Sequence, residues 1–276
     1  MTIICAEAGI NHGGNLKTAI KLIDMAADCG ADVIKFQKRT PELCVPRSEW
    51  DKPKNTPWGT TERYIDYKRK LELSEEQYKI IYNHCISRGI DFAASVWDLP
   101  SLEFISRFKV PFVKLPSALI TNEILVRATI DTGIPIVIST GMSTAEEIYK
   151  TVSWFPADYD LTILHCHSSY PTPEDEVNLK AIQTLRESYG KKTGYSSHDT
   201  SPMIPIASAL RYNADFIEVH ICLNRADPGS DMAASFEKKG LELLVREVRR
   251  LKVIDGTGEV KLWPTEMKSR MHLRGN

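Results

Sequence analysis

Short β-branched apolar runs alternate along this chain with stretches whose apolar residues recur every three or four positions. The runs are Ile3 to Ala6, Val33 to Gln37, Phe92 to Val96, Phe112 to Pro116, Ile134 to Ser139, Leu161 to Cys166, Thr193 to Ser197 and Phe216 to Ile221. Their length and composition predict eight strands. After the first run, Leu16, Ala19, Ile20, Ile23, Ala26 and Ala27 line one face of a predicted helix, and Gly30 stops it. After the fifth, Ser143 with Glu146 predicts a capping box opening a helix that carries Ile148 and Val152. Strands that alternate with helices pair in parallel, and eight such units close a barrel. The expected fold is an α/β TIM (β/α)8 barrel, a single domain over residues 1–276. No GxGxxG follows a strand, which argues against an open doubly wound sheet. Two segments depart from a plain barrel: a long polar loop at about 40–67 and a short tail from about 257. A loop of that length more often covers a site than merely connects.

Composition narrows the function. At 42% hydrophobic, the 276 residues can bury a sizeable core. With 35 basic against 36 acidic side chains, the chain has no footprint for a bulk polyanion, so no nucleic-acid partner is expected. Any anion must be met by a local cluster. No apolar run approaches a membrane span, and the first run is too short for a signal peptide. Six cysteines without a CxxC pair read as reduced thiols of a soluble, cytoplasmic protein.

In such a barrel the site gathers at the carboxyl ends of the strands. The polar residues there are Glu7 on the first strand, Lys35 and Gln37 on the second, and Lys114 and Ser117 on the fourth. Ser139 and Gly141 follow on the fifth, and His165, His167, Ser168 and Tyr170 on the sixth. Ser196 and His198 end the seventh, and Glu218 and His220 the eighth. Lysines inside apolar strands are the anomaly, because a buried ammonium needs a partner. Two readings stay open: a fixed anion in the barrel mouth, or a buried Lys–Glu pair with Glu7. His198 and His220, on consecutive strand ends, suit one divalent ion such as Mn, Zn or Co, or else are satisfied core residues. His12, beside two glycines, reads as a turn residue, and His84 and His272 as surface positions.

Many ordered motifs then match one family. They include Ala6-Glu7-Ala8-Gly9-Ile10-Asn11-His12, Val33-Ile34-Lys35-Phe36-Gln37, Tyr67-Lys68-Arg69 and Val113-Lys114-Leu115-Pro116-Ser117. Ile138-Ser139-Thr140-Gly141-Met142, His165 to Pro173, Gly194-Tyr195-Ser196-Ser197-His198 and Pro228-Gly229-Ser230-Asp231 continue them. On these residues the chain resembles the sialic acid (N-acetylneuraminate) synthase family, which includes legionaminic and pseudaminic acid synthases. The resemblance implies condensation of phosphoenolpyruvate with the aldehyde of an N-acylated hexosamine such as N-acetylmannosamine. The products would be a nine-carbon 2-keto-3-deoxy acid and phosphate. It implies a divalent metal, Mn2+ foremost with Mg2+ or Co2+ as alternatives, held by His198 and His220, and a homodimer. It assigns phosphoenolpyruvate to Lys35 and Lys114, with Ser95, Ser117, Ser139, Ser168 and Ser196 hydrogen-bonding around it. Glu7 becomes a general acid/base or a water-positioning group, Gln37 and Tyr170 further site residues, and Asp231 a sugar-hydroxyl contact.

Three departures from the family pattern bear on the acceptor. Pro116-Ser117-Ala118-Leu119 lacks the acidic residue usual after Pro-Ser-Gly, so a pocket shaped by Leu119 and Trp97 is expected to favour a less hydroxylated sugar. Asp199 follows His198 where an Asp usually precedes it, and is expected to affect the orientation of that ligand. The family's C-terminal antifreeze-protein-like lid is not found in these 276 residues. Two alternatives remain: a 2-keto-3-deoxy acid synthase with a different sugar aldehyde, and a non-catalytic sugar-binding barrel.

Overall fold

A computed structural model describes residues 1–275 of the chain. Eight parallel strands close into a barrel: β1 (Ile3–Gly9), β2 (Val33–Lys38), β3 (Asp91–Val96) and β4 (Val113–Leu115), then β5 (Ile136–Ser139), β6 (Leu161–Cys166), β7 (Lys192–Ser197) and β8 (Phe216–His220). Each pairs with its neighbour in sequence, and β8 pairs with β1. The expected barrel is the fold observed. β1 runs three residues further than its apolar stretch, which brings Glu7 into the sheet.

Local chemistry explains the helices that wrap it. Asn15 Oδ1 caps the helix Leu16–Asp28 by accepting from the backbone N–H groups of Lys17 and Thr18. Its buried face is Ala19, Leu22, Ile23, Met25 and Ala26, so the predicted stripe is rotated slightly, with Ile20 and Ala27 at its edge. Gly30 follows the helix with φ 79°, as its predicted stop requires. The predicted capping box falls one residue later. Thr144 Oγ1 accepts from the Glu147 N–H, and Glu147 Oε2 from the Thr144 N–H, because Ser143 is spent on the preceding turn, bonding the Gly141 carbonyl.

Strand alternation then decides where the site lies. The inward residues Cys5, Val33, Ala93, Phe112, Val137, Leu164 and Phe216 form an apolar plug in the barrel. Gly194 joins this layer without a side chain, since a Cβ there would lie 2.0 Å from the Phe216 carbonyl oxygen. Two residues further along each strand, the same face carries Glu7, Lys35, Ser95, Lys114, Ser139, Cys166, Ser196 and Glu218. The interior is apolar below and polar above.

The segment at about 40–67 has structure of its own. It contains a helix Pro41–Cys44, an antiparallel pair of Pro53–Asn55 with Thr61–Arg63, and the start of a helix Tyr64–Leu71. That helix packs so closely on the loop after β1 that a Cβ on Gly14 would lie 1.9 Å from the Lys70 carbonyl oxygen. The tail forms a short helix, Met267–Arg274, exposed along nearly all its length. No described helix is long and apolar enough to cross a membrane.

Candidate active site at the barrel mouth

The polar layer opens into a cavity of about 280 Å³. Its lining brings together Glu7, Lys35, Gln37, Ser95, Lys114, Ser117, Ser139, Ser168, Tyr170, Ser196, His198 and His220. Asp231 does not line it; its carboxylate instead faces His220, with Oδ2 3.7 Å from Nδ1.

The floor is a network of buried charges. Lys35 Nζ lies 2.6 Å from Glu7 Oε2 and 3.6 Å from Glu218 Oε1, and it donates to Ser95 Oγ at 2.9 Å. Lys114 Nζ reaches Glu218 Oε1 at 3.4 Å, and Ser196 Oγ donates to the same oxygen at 3.2 Å. The lysines therefore do not form an uncompensated cationic pocket; two carboxylates balance two ammoniums. Glu218, to which the sequence reading assigned no role, joins both lysines. Its signal was its place two residues before His220, on the same face of one strand.

Burial shapes the protonation of this network. It pushes the Glu7 carboxyl above its ordinary value despite the Lys35 ammonium beside it. Burial also pulls Lys35 down, but the Glu218 and Glu7 carboxylates prevail and hold it above the usual lysine value. For Glu218, burial is outweighed by Lys114 and Lys35, which hold it below the carboxylate range. Burial, then the nearby His220, depress His198 to about 3, so its ring is neutral at pH 7.

The two histidines sit with ring centroids 5.3 Å apart, and Tyr170 stacks on His198 at 3.9 Å. His198 Nδ1 donates to the His167 carbonyl, which leaves Nε2 with a free lone pair. His220 Nδ1 is buried without a hydrogen bond. Asp199 does not orient His198, contrary to expectation: its Oδ2 accepts from Tyr195 OH at 2.6 Å and Ser197 Oγ at 2.8 Å. His165 is turned away onto the Val177 carbonyl, and His167 Nε2 pairs with Glu176 at 2.9 Å. His12 is a turn residue, as read: it is buried, and Nδ1 accepts from the Gly14 N–H.

The side expected to meet an acceptor also differs in one respect. Trp97 lines the cavity, but Leu119 packs against the hydrophobic core because Ser117–Leu119 forms a tight 3-10 turn. Ala118 faces the cavity instead. Beside this turn, Gly141, whose N–H donates to Ser117 Oγ at 3.0 Å, leaves room for a cluster of small polar groups. A Cβ there would lie 2.3 Å from Ser168 Oγ, 2.8 Å from Cys166 Sγ and 3.0 Å from Ser117 Oγ. Cys166, Met142 and Ala118 are lining residues that the strand-end pattern did not single out.

Fold and site together define a (β/α)8 barrel with its polar centre at the carboxyl ends of the strands, where barrel enzymes hold their chemistry. The chain belongs to the NeuB family, whose model matches residues 22–260. It is 33% identical over 277 residues to the N,N'-diacetyllegionaminic acid synthase of Campylobacter jejuni, covering 97% of this chain and 81% of that protein. To the human N-acetylneuraminate-9-phosphate synthase it is 37% identical over 270 residues, covering 96% and 74%. A solved N-acetylneuraminic acid (sialic acid) synthetase from Leptospira borgpetersenii, in complex with citrate, superposes with a TM-score of 0.83 at 32% identity. That match covers 100% of this chain and 93% of the other.

Proposed function

We propose that this protein is a phosphoenolpyruvate-dependent nonulosonate synthase. It would join phosphoenolpyruvate to the aldehyde of an N-acylated hexosamine, giving a nine-carbon 2-keto-3-deoxy acid and phosphate. The observation that carries this reading is Lys114. Among the described residues its buried ammonium has three donors but a single hydrogen-bond partner, Glu218 at 3.4 Å, and shares its cavity with Ser139, whose buried hydroxyl has none. Spare donors in a buried site are what a phosphorylated anion needs. Relatives named as synthases of sialic and legionaminic acids support the same reading.

In this reaction C3 of phosphoenolpyruvate bonds to the aldehyde carbon, and the aldehyde oxygen takes a proton to become a hydroxyl. Water adds its oxygen to C2, one of its protons balancing the new hydroxyl and the other leaving with the phosphate, as cleavage of the bond from C2 to the phosphate oxygen releases phosphate and leaves the ketone. Lys35 and Lys114 would hold the anion, with Ser95, Ser117, Ser139 and Ser168 donating around it and Ser196, whose hydroxyl donates to Glu218, lining the same cavity. Glu7, with its raised pKa, is suited to hold or deliver a proton at the acceptor oxygen. Gln37 and Tyr170 would border the acceptor, with Asp231 behind His220.

The free Nε2 of His198 and the unpartnered Nδ1 of His220 fit a divalent metal, Mn2+ foremost, with Mg2+ or Co2+ as alternatives. When bound there, such an ion supplies Lewis-acid polarisation of the acceptor carbonyl. Among the described residues no group of three or more His, Cys, Asp or Glu side chains is arranged to hold a metal, so these two nitrogens are the donors the chain itself would offer.

The test is phosphate release from phosphoenolpyruvate with a panel of N-acylated hexosamines, followed by mass spectrometry of the product. A nine-carbon keto acid is expected. Release with none of the acceptors in the presence of Mn2+ would overturn the assignment.

A further inference from the structure

Two residues outside the cavity lining are tied into its charge network through a single amide. Glu72, just beyond the helix Tyr64–Leu71, has Oε1 3.2 Å from Arg39 Nε, while Oε2 accepts from the Arg39 backbone N–H at 3.3 Å. The Arg39 guanidinium also lies over the Trp97 ring, 4.2 Å from its centroid, and is 8% exposed. Its Nη2 donates to Gln37 Oε1. A guanidinium can only donate, so it dictates which way the Gln37 amide faces. The oxygen turns to Arg39, and Nε2 turns to Glu7, donating to Oε1 at 3.1 Å. With the amide reversed, its NH2 would face a guanidinium that has no acceptor to offer, and that contact would be repulsive. Gly9 keeps the space for this bond: a Cβ there would lie 3.2 Å from both Gln37 Nε2 and Glu7 Oε1.

We infer that Arg39 is a positioning residue for the condensation. Clamped by Glu72 and Trp97, it locks the Gln37 amide, and the amide fixes the Glu7 carboxyl in one orientation opposite Lys35. Gln37 and Arg39 share a face because they lie two apart in extended backbone. Glu72 belongs to the segment that returns from the 40–67 excursion, so the excursion shapes the site through this clamp. A lysine cannot replace Arg39, because one ammonium lacks the planar group that donates to Gln37 while lying over the Trp97 ring with Glu72 3.2 Å from Nε. The inference rests on the proposed reaction and on the role of Glu7 in it.

A double-mutant cycle tests it, with phosphoenolpyruvate and the best acceptor from the panel. Arg39→Met is expected to lower kcat by at least about 10-fold, in line with the loss from misplaced catalytic groups. The KM for phosphoenolpyruvate should stay within about two-fold, because Lys114 and the serines are untouched and Lys35 keeps Glu218 and Ser95. Arg39→Lys, which keeps the charge, should recover only a minor part of kcat. Adding Arg39→Met to Gln37→Ala should cost nothing further, since Arg39 acts through that amide. Additive losses, or a kcat in Arg39→Met within about two-fold of the parent, would overturn the inference. A neutron structure of Arg39→Met, which locates the amide hydrogens, reads the lock without turnover. A Gln37 amide still donating in one orientation to Glu7 also overturns it. If the parent protein consumes no phosphoenolpyruvate with any acceptor, the reaction is wrong, and the neutron structure alone decides whether Arg39 sets the amide.

Discussion

Glu7 and Lys35 stand opposite each other in register on β1 and β2, and their charged ends meet at 2.6 Å with almost no exposure to solvent. The pairing follows from strand geometry, because both are inward positions two residues above the apolar plug. Glu218 pairs with Lys114 from a strand that is not its neighbour, at a looser 3.4 Å. An incoming anion would therefore compete with carboxylates already in place, and Lys114 is the ammonium with the weaker hold to release.

That difference predicts an order of stabilities. Removing one partner of a buried ion pair leaves an uncompensated charge and costs about 3–5 kcal/mol. Lys35→Met leaves Glu7 without its cation and should lose about that much in urea unfolding. Lys114→Met should lose less, because Glu218 keeps Lys35 at 3.6 Å and the Ser196 hydroxyl at 3.2 Å. Equal losses, or the reverse order, would show that the short contact is not the one that holds the floor together.

The histidine pair makes a prediction that turnover is not needed to read. Titration calorimetry with Mn2+ should give one site in the parent protein, weakened at least about 10-fold in His198→Ala and in His220→Ala. His167→Ala should bind Mn2+ nearly as well, since only its backbone carbonyl meets His198. Chelation should stop phosphate release, and Mn2+ should restore it. Unchanged Mn2+ binding in both histidine variants would remove the pair from the metal site.

The barrel was legible because eight apolar runs with helical stretches between them leave few other ways to pair strands. Period-two alternation then told which residues could share the mouth. What the sequence could not specify was set by contacts distant along the chain or by turns one residue long. The partner of Lys114 depends on the registers linking β4 round to β8, so Glu218 was visible as a residue but not as the joint between two lysines. Asp199 is adjacent to His198 in sequence, yet the turn after β7 sends its carboxylate to Tyr195 and Ser197. Leu119 reads as a cavity residue until a 3-10 turn carries it into the core, and the capping box misses by one position because Ser143 serves the preceding turn.

Asp98 ties the 40–67 excursion to the barrel and should make that tie depend on pH. Its carboxylate accepts from Ser101 N–H at 2.8 Å, capping the helix Leu99–Ile105, and from Thr40 Oγ1 at 3.1 Å and the Thr40 N–H. Burial alone would raise its pKa, but the bonds from Ser101 and Thr40 prevail and lower it. A carboxyl whose pKa is lowered by folding stabilises above its unfolded value, about 3.9. That contribution disappears as pH falls through the folded value. The stability gap between the parent and Asp98→Asn should therefore be full at pH 6 and shrink progressively below pH 4, measured by urea unfolding across that range. A gap that does not change with pH would mean the carboxylate charge is not what matters.

Two glycines near the same strand ends should fail in different ways. At Gly194 an added Cβ would lie 2.0 Å from the Phe216 carbonyl oxygen, a backbone atom of the neighbouring strand that cannot step aside. Gly194→Ala should thus destabilise the barrel by about 1–3 kcal/mol, the usual cost of overpacking, with a lower melting temperature before any specific loss of activity. At Gly141 the nearest groups are side-chain tips, Ser168 Oγ at 2.3 Å and Cys166 Sγ at 2.8 Å, which can rotate away. Rotation spares the fold but moves hydroxyls that face the proposed phosphoenolpyruvate. Gly141→Ala should melt within a few degrees of the parent while raising the KM for phosphoenolpyruvate by about 10-fold, the effect of about 1.4 kcal/mol of lost binding. Melting curves and steady-state kinetics on the two variants separate these outcomes. A Gly141→Ala protein with unchanged KM would place the phosphoenolpyruvate away from Ser117 and Ser168.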